Sequence, residues 1–314
     1  MKSLNVYLVA ERKVEVREED VPEPAPDEIQ VRCIANGICM GEVSLFSGWE
    51  RSRMPCKLGH EGIGVVVKVG REVKGIAEGD YVLCWSWDTY QNIKASHVRR
   101  FSIVPDDPAC YLAEPVACVI NALYAYDISP GDRVLLMGAG FMGLVNLQAL
   151  GRYPLSELVV TDVKRINLEL ANEFGATRII DVGTDDGKRE LEELKKTPFD
   201  LVIDSAGTAE VIEIAGELVR PGGRLAIFAW HHHPRTINLS IWHTRGLKVL
   251  NTAPMIGTDR NVDNMMRAIK LLEKGYFDLH KLITHRHHVT KVQEALELAC
   301  ERPEGYVKGV ITFE

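Results

Sequence analysis

No run of apolar residues in this 314-residue chain approaches the ~20 needed to span a bilayer, so no membrane contact is expected. A surplus of positive charge is missing too. Lys and Arg number 37 against 44 Asp and Glu, a formal charge of −7. That argues against a nucleic-acid or anionic-membrane partner, because both demand a basic face. The seven cysteines (Cys33, Cys39, Cys56, Cys84, Cys110, Cys118 and Cys300) are scattered and odd in number. They outline no disulfide framework, and a reducing cytoplasm is the expected compartment. The first ten residues read as a short strand and lack the long apolar core of a signal peptide. There are no internal repeats and no low-complexity tracts. What is there is the composition of an ordinary globular protein, 46% apolar and 26% charged. The length suits two domains of roughly 100–200 residues each.

The first third alternates short apolar runs with turn residues. Val14 to Arg17 and Ile29 to Arg32 have period-two patterning, and Gly62 to Val69 is a β-branched run between glycines. Gly79-Asp80 then precedes Tyr81 to Leu83. This part reads as β-rich. Past the turn signal Ser129-Pro130-Gly131-Asp132, strands alternate with helices. The strands are Val134–Met137, Leu158–Thr161, Arg178–Ile180, Leu201–Ile203, Arg224–Phe228 and Leu247–Leu250. Helices such as Ile166–Phe174 and Glu210–Val219 lie between them, with stop signals at Gly175 and Pro221-Gly222-Gly223. Alternation of this kind implies an α/β fold with a doubly wound parallel sheet. The tail carries helices at Asn264–Lys274 and Lys291–Cys300 and a strand at Lys308–Phe313, and could return to complete the first domain.

Gly138-Ala139-Gly140-Phe141-Met142-Gly143 follows the strand Val134–Met137 and opens the helix Leu144–Leu150. The first glycine permits a tight turn, the second lets backbone approach a pyrophosphate, and the third lets helix pack on strand. Asp162 lies 19 residues past the last of them, where a carboxylate is wanted for the ribose hydroxyls. It would also repel a 2′-phosphate, so NAD is expected over NADP. Lys164 and Arg165 pull the other way, since an arginine there can bind that phosphate.

Cys39, the pair His60-Glu61 and Glu114 offer thiolate, imidazole and carboxylate, the usual donors for a catalytic zinc. They are far apart in sequence. By residue type alone, a buried structural cysteine and a structural His–Glu pair explain them as well.

Several motifs carry a resemblance. Gly37-Ile38-Cys39, Gly59-His60-Glu61-Gly62-Ile63-Gly64-Val65-Val66, Leu112-Ala113-Glu114-Pro115, Gly131-Asp132-Arg133-Val134, Val219 to Arg224 and Gly305 to Ile311 stand in order. Together they resemble the zinc-containing medium-chain alcohol and polyol dehydrogenases, in the sorbitol and threonine dehydrogenase branch. The resemblance implies a GroES-like catalytic domain, residues 1–122 and 252–314, around a Rossmann NAD-binding domain, 123–251, with the active site in the cleft. It implies Cys39 and His60 as zinc ligands, with Glu61 and Glu114 at the carboxylate positions. Glu42 falls where the family has an Asp hydrogen-bonded to the ligand histidine. The partner would be a small alcohol or polyol, and the assembly a homodimer or homotetramer.

Two departures qualify this. The family's four-cysteine zinc lobe is absent, since Leu83 to Lys94 contains only Cys84, so one catalytic zinc and no structural zinc are expected. Gly41 stands where a Ser or Thr usually starts the proton relay, and Ser44 where a histidine is usual. Ser44, Glu61, a water or a neighbouring substrate hydroxyl could take the proton instead. Trp85 and Trp87 fall in the shortened segment, where they would line a substrate pocket or plug the space of the missing lobe. Trp230, with His231 to His233, is expected on a loop beside the nicotinamide. His285, His287 and His288 are expected to be solvated or packing residues. A zinc-free quinone or enone reductase of the same fold, and a non-catalytic dinucleotide-binding sensor, are the rival readings.

Overall fold

The computed structural model describes residues 1–313. In chain order it begins with β1 (Lys2–Ala10), β2 (Lys13–Asp20), β3 (Glu28–Gly37) and α1 (Met40–Phe46). Next come β4 (Cys56–Lys57), β5 (Gly62–Val69), β6 (Tyr81–Cys84), β7 (Tyr90–Lys94) and α2 (Ala113–Tyr126). An alternating stretch follows: β8 (Arg133–Met137), α3 (Phe141–Leu150), β9 (Glu157–Asp162), α4 (Arg165–Glu173), β10 (Arg178–Asp181) and α5 (Asp185–Leu194). It continues through β11 (Phe199–Asp204), α6 (Ala209–Leu218), β12 (Val219–Ile227), α7 (Leu239–Thr244) and β13 (Lys248–Asn251). The tail is α8 (Asp259–Glu273), β14 (Ile283–His288), α9 (Val292–Glu301) and β15 (Lys308–Thr312).

The chain folds as two compact units, Met1–Val116 with Met265–Glu314, and Ala117–Asn264. The sequence placed the passages at 122 and 252. The compact units instead pass into one another inside α2, which runs unbroken from Ala113 to Tyr126, and inside α8, beyond 252.

In the first unit β3 is the organising strand. It pairs antiparallel with β5 along one side; on the other it meets β7 through Glu28–Arg32 and β15 through Ala35–Gly37. The tail thus completes this unit. A smaller sheet, β2-β1-β4, packs nearby. Val6, Leu8, Ile29, Val31, Phe46 and Trp87 form the centre of the core. Alternate residues of β1 and β3 supply it, as period-two patterning requires.

The second unit has one six-stranded sheet, β10-β9-β8-β11-β12-β13, with every adjacent pair parallel. Numbered from β8, the order is 3-2-1-4-5-6, the arrangement that places a dinucleotide at the reversal point beside the first strand. β12 starts earlier than the expected Arg224. Val219 pairs with Phe199 before a register shift that accommodates Pro221-Gly222-Gly223. Pro108–Tyr126 has the length and apolar composition of a membrane helix. Two thirds of it is buried in the protein, as a core helix would be.

Candidate active site

β3 ends at Gly37, and Cys39 caps α1 two residues later. Its thiol accepts from the Gly41 amide at 3.5 Å, and the Glu42 carboxylate accepts from the Cys39 amide at 3.0 Å. This is a capping box, so the helix that starts here fixes the directions of both side chains. Glu42 has a further duty. Its Oε1 lies 2.6 Å from His60 Nδ1 and accepts from the Gly59 amide at 3.2 Å. A glutamate therefore reaches the histidine from this helix despite its extra methylene. It leaves His60 Nε2 as the nitrogen for other business.

Gly59 sets the approach of His60. Its φ is +103°, and a Cβ there would stand 2.5 Å from Trp87 Cδ1. Glu61 is buried. Its amide donates to Asn36 Oδ1 at 3.0 Å, and its Oε2 meets Lys308 Nζ at 2.5 Å. A Cβ on Gly37 would lie 2.0 Å from that oxygen, so only glycine lets the carboxylate pass. Glu114 arrives from the first turn of α2. The ligand atoms of Cys39, Glu42 and His60 lie within 4.8 Å of one another, and so do those of His60, Glu61 and Glu114. His60 joins the two groups, and all five residues belong to the first unit.

The electrostatics of the cluster call for a cation. Burial depresses the His60 pKa, but the Cys39 thiol and the Glu42 carboxylate outweigh it and push it up to about 12. Burial and the Glu61 charge raise the Cys39 thiol. Burial works to raise Glu61, yet Lys308 and His60 hold it below the usual carboxylate range. Three carboxylates and a thiol thus face one lysine and one imidazole. Thiolate, imidazole and carboxylate are also the donor set of a catalytic zinc, so the residues fit that ion.

The sequence pointed to Cys39, His60, Glu61, Glu114 and Glu42, and the structure brings them together. It missed Lys308, which is 4% exposed at the start of β15. The signal was present in the Gly305-to-Ile311 motif, but nothing local told that its lysine turns inward. Ser44 sits one turn along α1, where its carbonyl accepts from the Trp49 amide.

The expectation that Trp87 lines a substrate pocket is corrected. Trp87 is wholly buried in the core beneath Gly59, where it plugs the space of the shortened segment. Trp85 is half-buried against the same core. Cys84, from the same segment, lies buried with its sulfur 3.2 Å from that of Cys33.

In the second unit the three glycines of the phosphate motif have separate duties. Gly138 has φ +100°, and a Cβ there would meet the Ala206 amide nitrogen at 2.8 Å. A Cβ on Gly143 would lie 2.1 Å from the Gly138 carbonyl oxygen, so helix α3 packs directly on the turn. A Cβ on Gly140, the N-cap of α3, meets nothing within 4 Å. That leaves space in front of the helix N-terminus, where amide groups can receive a phosphate. Phe141 turns into the core and Met142 is half-buried. Asp162 ends β9, and its carboxylate accepts from the amides of Ala139 at 2.7 Å and Lys164 at 2.8 Å. Arg165 is exposed and paired with Glu169 at 2.9 Å.

The three adjacent histidines do not converge. His231 Nε2 lies 2.7 Å from the fully buried Asp204, and His232 stacks on Trp230 with ring centroids 4.3 Å apart. Trp230 itself is 61% exposed.

Two family profiles match the chain. The alcohol dehydrogenase GroES-like domain covers residues 25–104, and the zinc-binding dehydrogenase domain covers 142–272. An L-threonine 3-dehydrogenase of Pyrococcus horikoshii is 28% identical over 90% of this chain and 91% of its own length. A sorbitol dehydrogenase of Ovis aries is 26% identical over 93% and 92%. A zinc-binding dehydrogenase from Sinorhizobium meliloti, bound to NADP, superposes with a TM-score of 0.84 at 23% identity, over 99% of both chains. An alcohol dehydrogenase from Escherichia coli complexed with NADH gives 0.86 at 23%, also over 99% of both. These structures share the fold, a Rossmann sheet joined to a GroES-like domain.

Proposed function

Because the chain belongs to the zinc-type medium-chain alcohol dehydrogenase family, we propose that it is a zinc-dependent, NAD-linked dehydrogenase of a secondary alcohol or polyol, such as a sugar alcohol or cyclitol. The observation that carries this reading is the pair of donor groups that His60 joins, Cys39 with Glu42 on one side and Glu61 with Glu114 on the other. Cys39 Sγ and His60 Nε2 would hold the ion, with Glu114 and Glu61 as the carboxylate donors. When bound, zinc supplies Lewis acidity to the substrate hydroxyl, and the nicotinamide takes up hydride from the adjoining carbon.

The chain's own residues do the rest. Glu42 takes up His60 Nδ1 and fixes the ring, so that Nε2 would be the nitrogen offered to the ion. Lys308 neutralises Glu61 on one side and holds its carboxylate in place beside His60. Gly41 offers no hydroxyl, so the carboxylates are the proton acceptors at hand. Asp162 favours NAD, since a second negative group beside it would be repelled, and the Glu169 pairing already occupies Arg165. A single zinc serves catalysis, the enzyme works as a homodimer or homotetramer, Trp85 of the first unit is an aromatic face for substrate, and Trp230 of the second sits on the loop meant for the nicotinamide side.

The test is a screen of sugar alcohols and cyclitols for NADH formation, run on zinc-loaded and chelator-treated protein. Cys39→Ser and His60→Ala should abolish turnover while NAD still binds. Full activity in metal-free protein would sink the reading and favour a quinone or enone reductase. NAD binding with no turnover of any alcohol would favour a sensor.

A further inference from the structure

A second group of metal-type donors lies in the first unit, away from Cys39 and His60. The backbone turns tightly over Asp107–Cys110, with the Cys110 amide donating to the Asp107 carbonyl at 2.9 Å. That turn puts the Cys110 sulfur 3.3 Å from Asp107 Oδ2. From the segment before β14, His280 comes to meet them. The ligand atoms of Asp107, Cys110 and His280 lie within 4.8 Å of one another.

The orientation of His280 is the second observation. Asp278 Oδ1 takes both the His280 amide, at 2.9 Å, and the ring Nδ1, at 2.7 Å. The ring is thereby turned so that Nε2 faces Asp106, 3.5 Å away. A carboxylate behind one imidazole nitrogen, with the other turned to a further donor, is how metal-binding histidines are held. Charge points the same way. Asp106, Asp107 and Asp278 outnumber the two cations that face them, Lys281 and Arg286; Arg286 pairs with Asp107 and stands 3.8 Å from the Cys110 sulfur.

We propose that Cys110, His280, Asp107 and Asp106 form a second zinc site, structural in role, that ties the turn before α2 to the segment before β14. A soft thiolate beside an imidazole selects a transition ion over calcium or magnesium, and zinc is the common occupant of such a set. On binding, the Cys110 S–H bond gives its proton to solvent as the sulfur bonds the ion. No redox partner is involved. Without the ion the sulfur stays a thiol, because burial and the neighbouring Asp107 charge push its pKa up to about 12. The site lies outside the shortened segment that holds Cys84. It also sits four residues ahead of Glu114, so it would steady the entry of α2 into the active site.

The experiment counts zinc by mass spectrometry in full-length protein loaded with excess Zn²⁺ and then desalted. His280→Gln and Cys110→Ser should each hold about one ion per chain fewer than the unaltered protein, with alcohol oxidation retained. Cys110 is buried, so its variant is at risk of misfolding. His280 is half-exposed, and its variant keeps the native melting profile in chelator. If His280→Gln binds as much zinc as the unaltered protein, the proposal is wrong. The loss of an ion in Cys39→Ser reports on the first site independently, so the two readings fail separately.

Discussion

Lys308 shows what a single buried charge does in this protein. Its ammonium is 2.5 Å from Glu61, and both groups are almost fully shielded from water. Burial alone would drive the lysine toward neutrality, but Glu61 and Cys39 hold its pKa above the usual lysine range. Removing one member of such a pair strands the other, which costs about 3–5 kcal/mol. Lys308→Ala should therefore lower stability by that amount in urea titrations done with chelator present. The double change Lys308→Met with Glu61→Gln should recover most of it. Equal losses in the single and double variants would mean that the pair is not what stabilises the site. The lysine was out of reach of sequence reasoning for a physical reason. Lys308, Gly309, Val310 and Ile311 are all buried, and a strand covered on both faces shows no alternation that would mark a lysine in it as buried. Cys39, His60 and Glu114 were legible because donor chemistry marks them whatever their direction. Trp87 stayed between two readings because an indole suits a pocket wall and a core equally, and only its full burial beneath Gly59 decides between them.

Among elements, the β8–α3 turn separates packing from binding with unusual clarity. Gly143 sits where a methyl group would collide with the Gly138 carbonyl, and Gly140 sits where a methyl group would meet empty space. Gly143→Ala should thus lower the melting temperature and abolish NAD binding together. Gly140→Ala should leave melting unchanged, since φ there is −63°, yet weaken NAD binding roughly tenfold or more by crowding the pyrophosphate. Isothermal titration beside a thermal melt checks both, and an undiminished affinity in Gly140→Ala would remove the pyrophosphate from this turn. Asp200 at the start of β11 ties the same sheet together. It accepts from the Arg133 amide of β8 at 2.8 Å and from Arg220 Nε of β12 at 2.5 Å. Burial tends to raise its pKa, but the Arg133 amide and the Arg220 guanidinium bring it below the usual aspartate range. A carboxyl with a depressed folded pKa contributes its full stability above the unfolded value, about 3.9, and loses it as pH falls through the folded one. Melting followed from pH 7 down to pH 3 should therefore drop more steeply in the unaltered protein than in Asp200→Asn. The variant starts about 1–3 kcal/mol lower at neutral pH. Parallel curves would show that Asp200 titrates alike in both states.

At the scale of the molecule, the two chemistries belong to different compact units. The donors of the catalytic zinc all come from Met1–Val116, and the glycine turn and Asp162 all come from Ala117–Asn264. The alternation of strand and helix made the second unit and its parallel sheet readable from sequence, while the strand order came from the structure. The 3.6-residue pattern shows a helix without showing which core each of its turns joins, and so α2 and α8 hid the boundaries. A ligand that binds only the folded state stabilises it by RT ln(1 + [L]/Kd), about 2.7 kcal/mol at a hundredfold excess over Kd. Each cofactor should then act on its own. Zinc added to metal-free protein should raise the melting temperature in Gly140→Ala as in the unaltered chain, since every zinc donor is intact. NAD should raise it in Cys39→Ser as in the unaltered chain, since the glycine turn is intact. In the crossed combinations, NAD with Gly140→Ala and zinc with Cys39→Ser, the shifts should shrink. Any zinc shift left in Cys39→Ser then belongs to the Cys110 site and should vanish when His280→Gln is added. If instead Cys39→Ser loses its response to NAD, dinucleotide affinity depends on the thiolate, and the assignment of one cofactor to each unit is wrong.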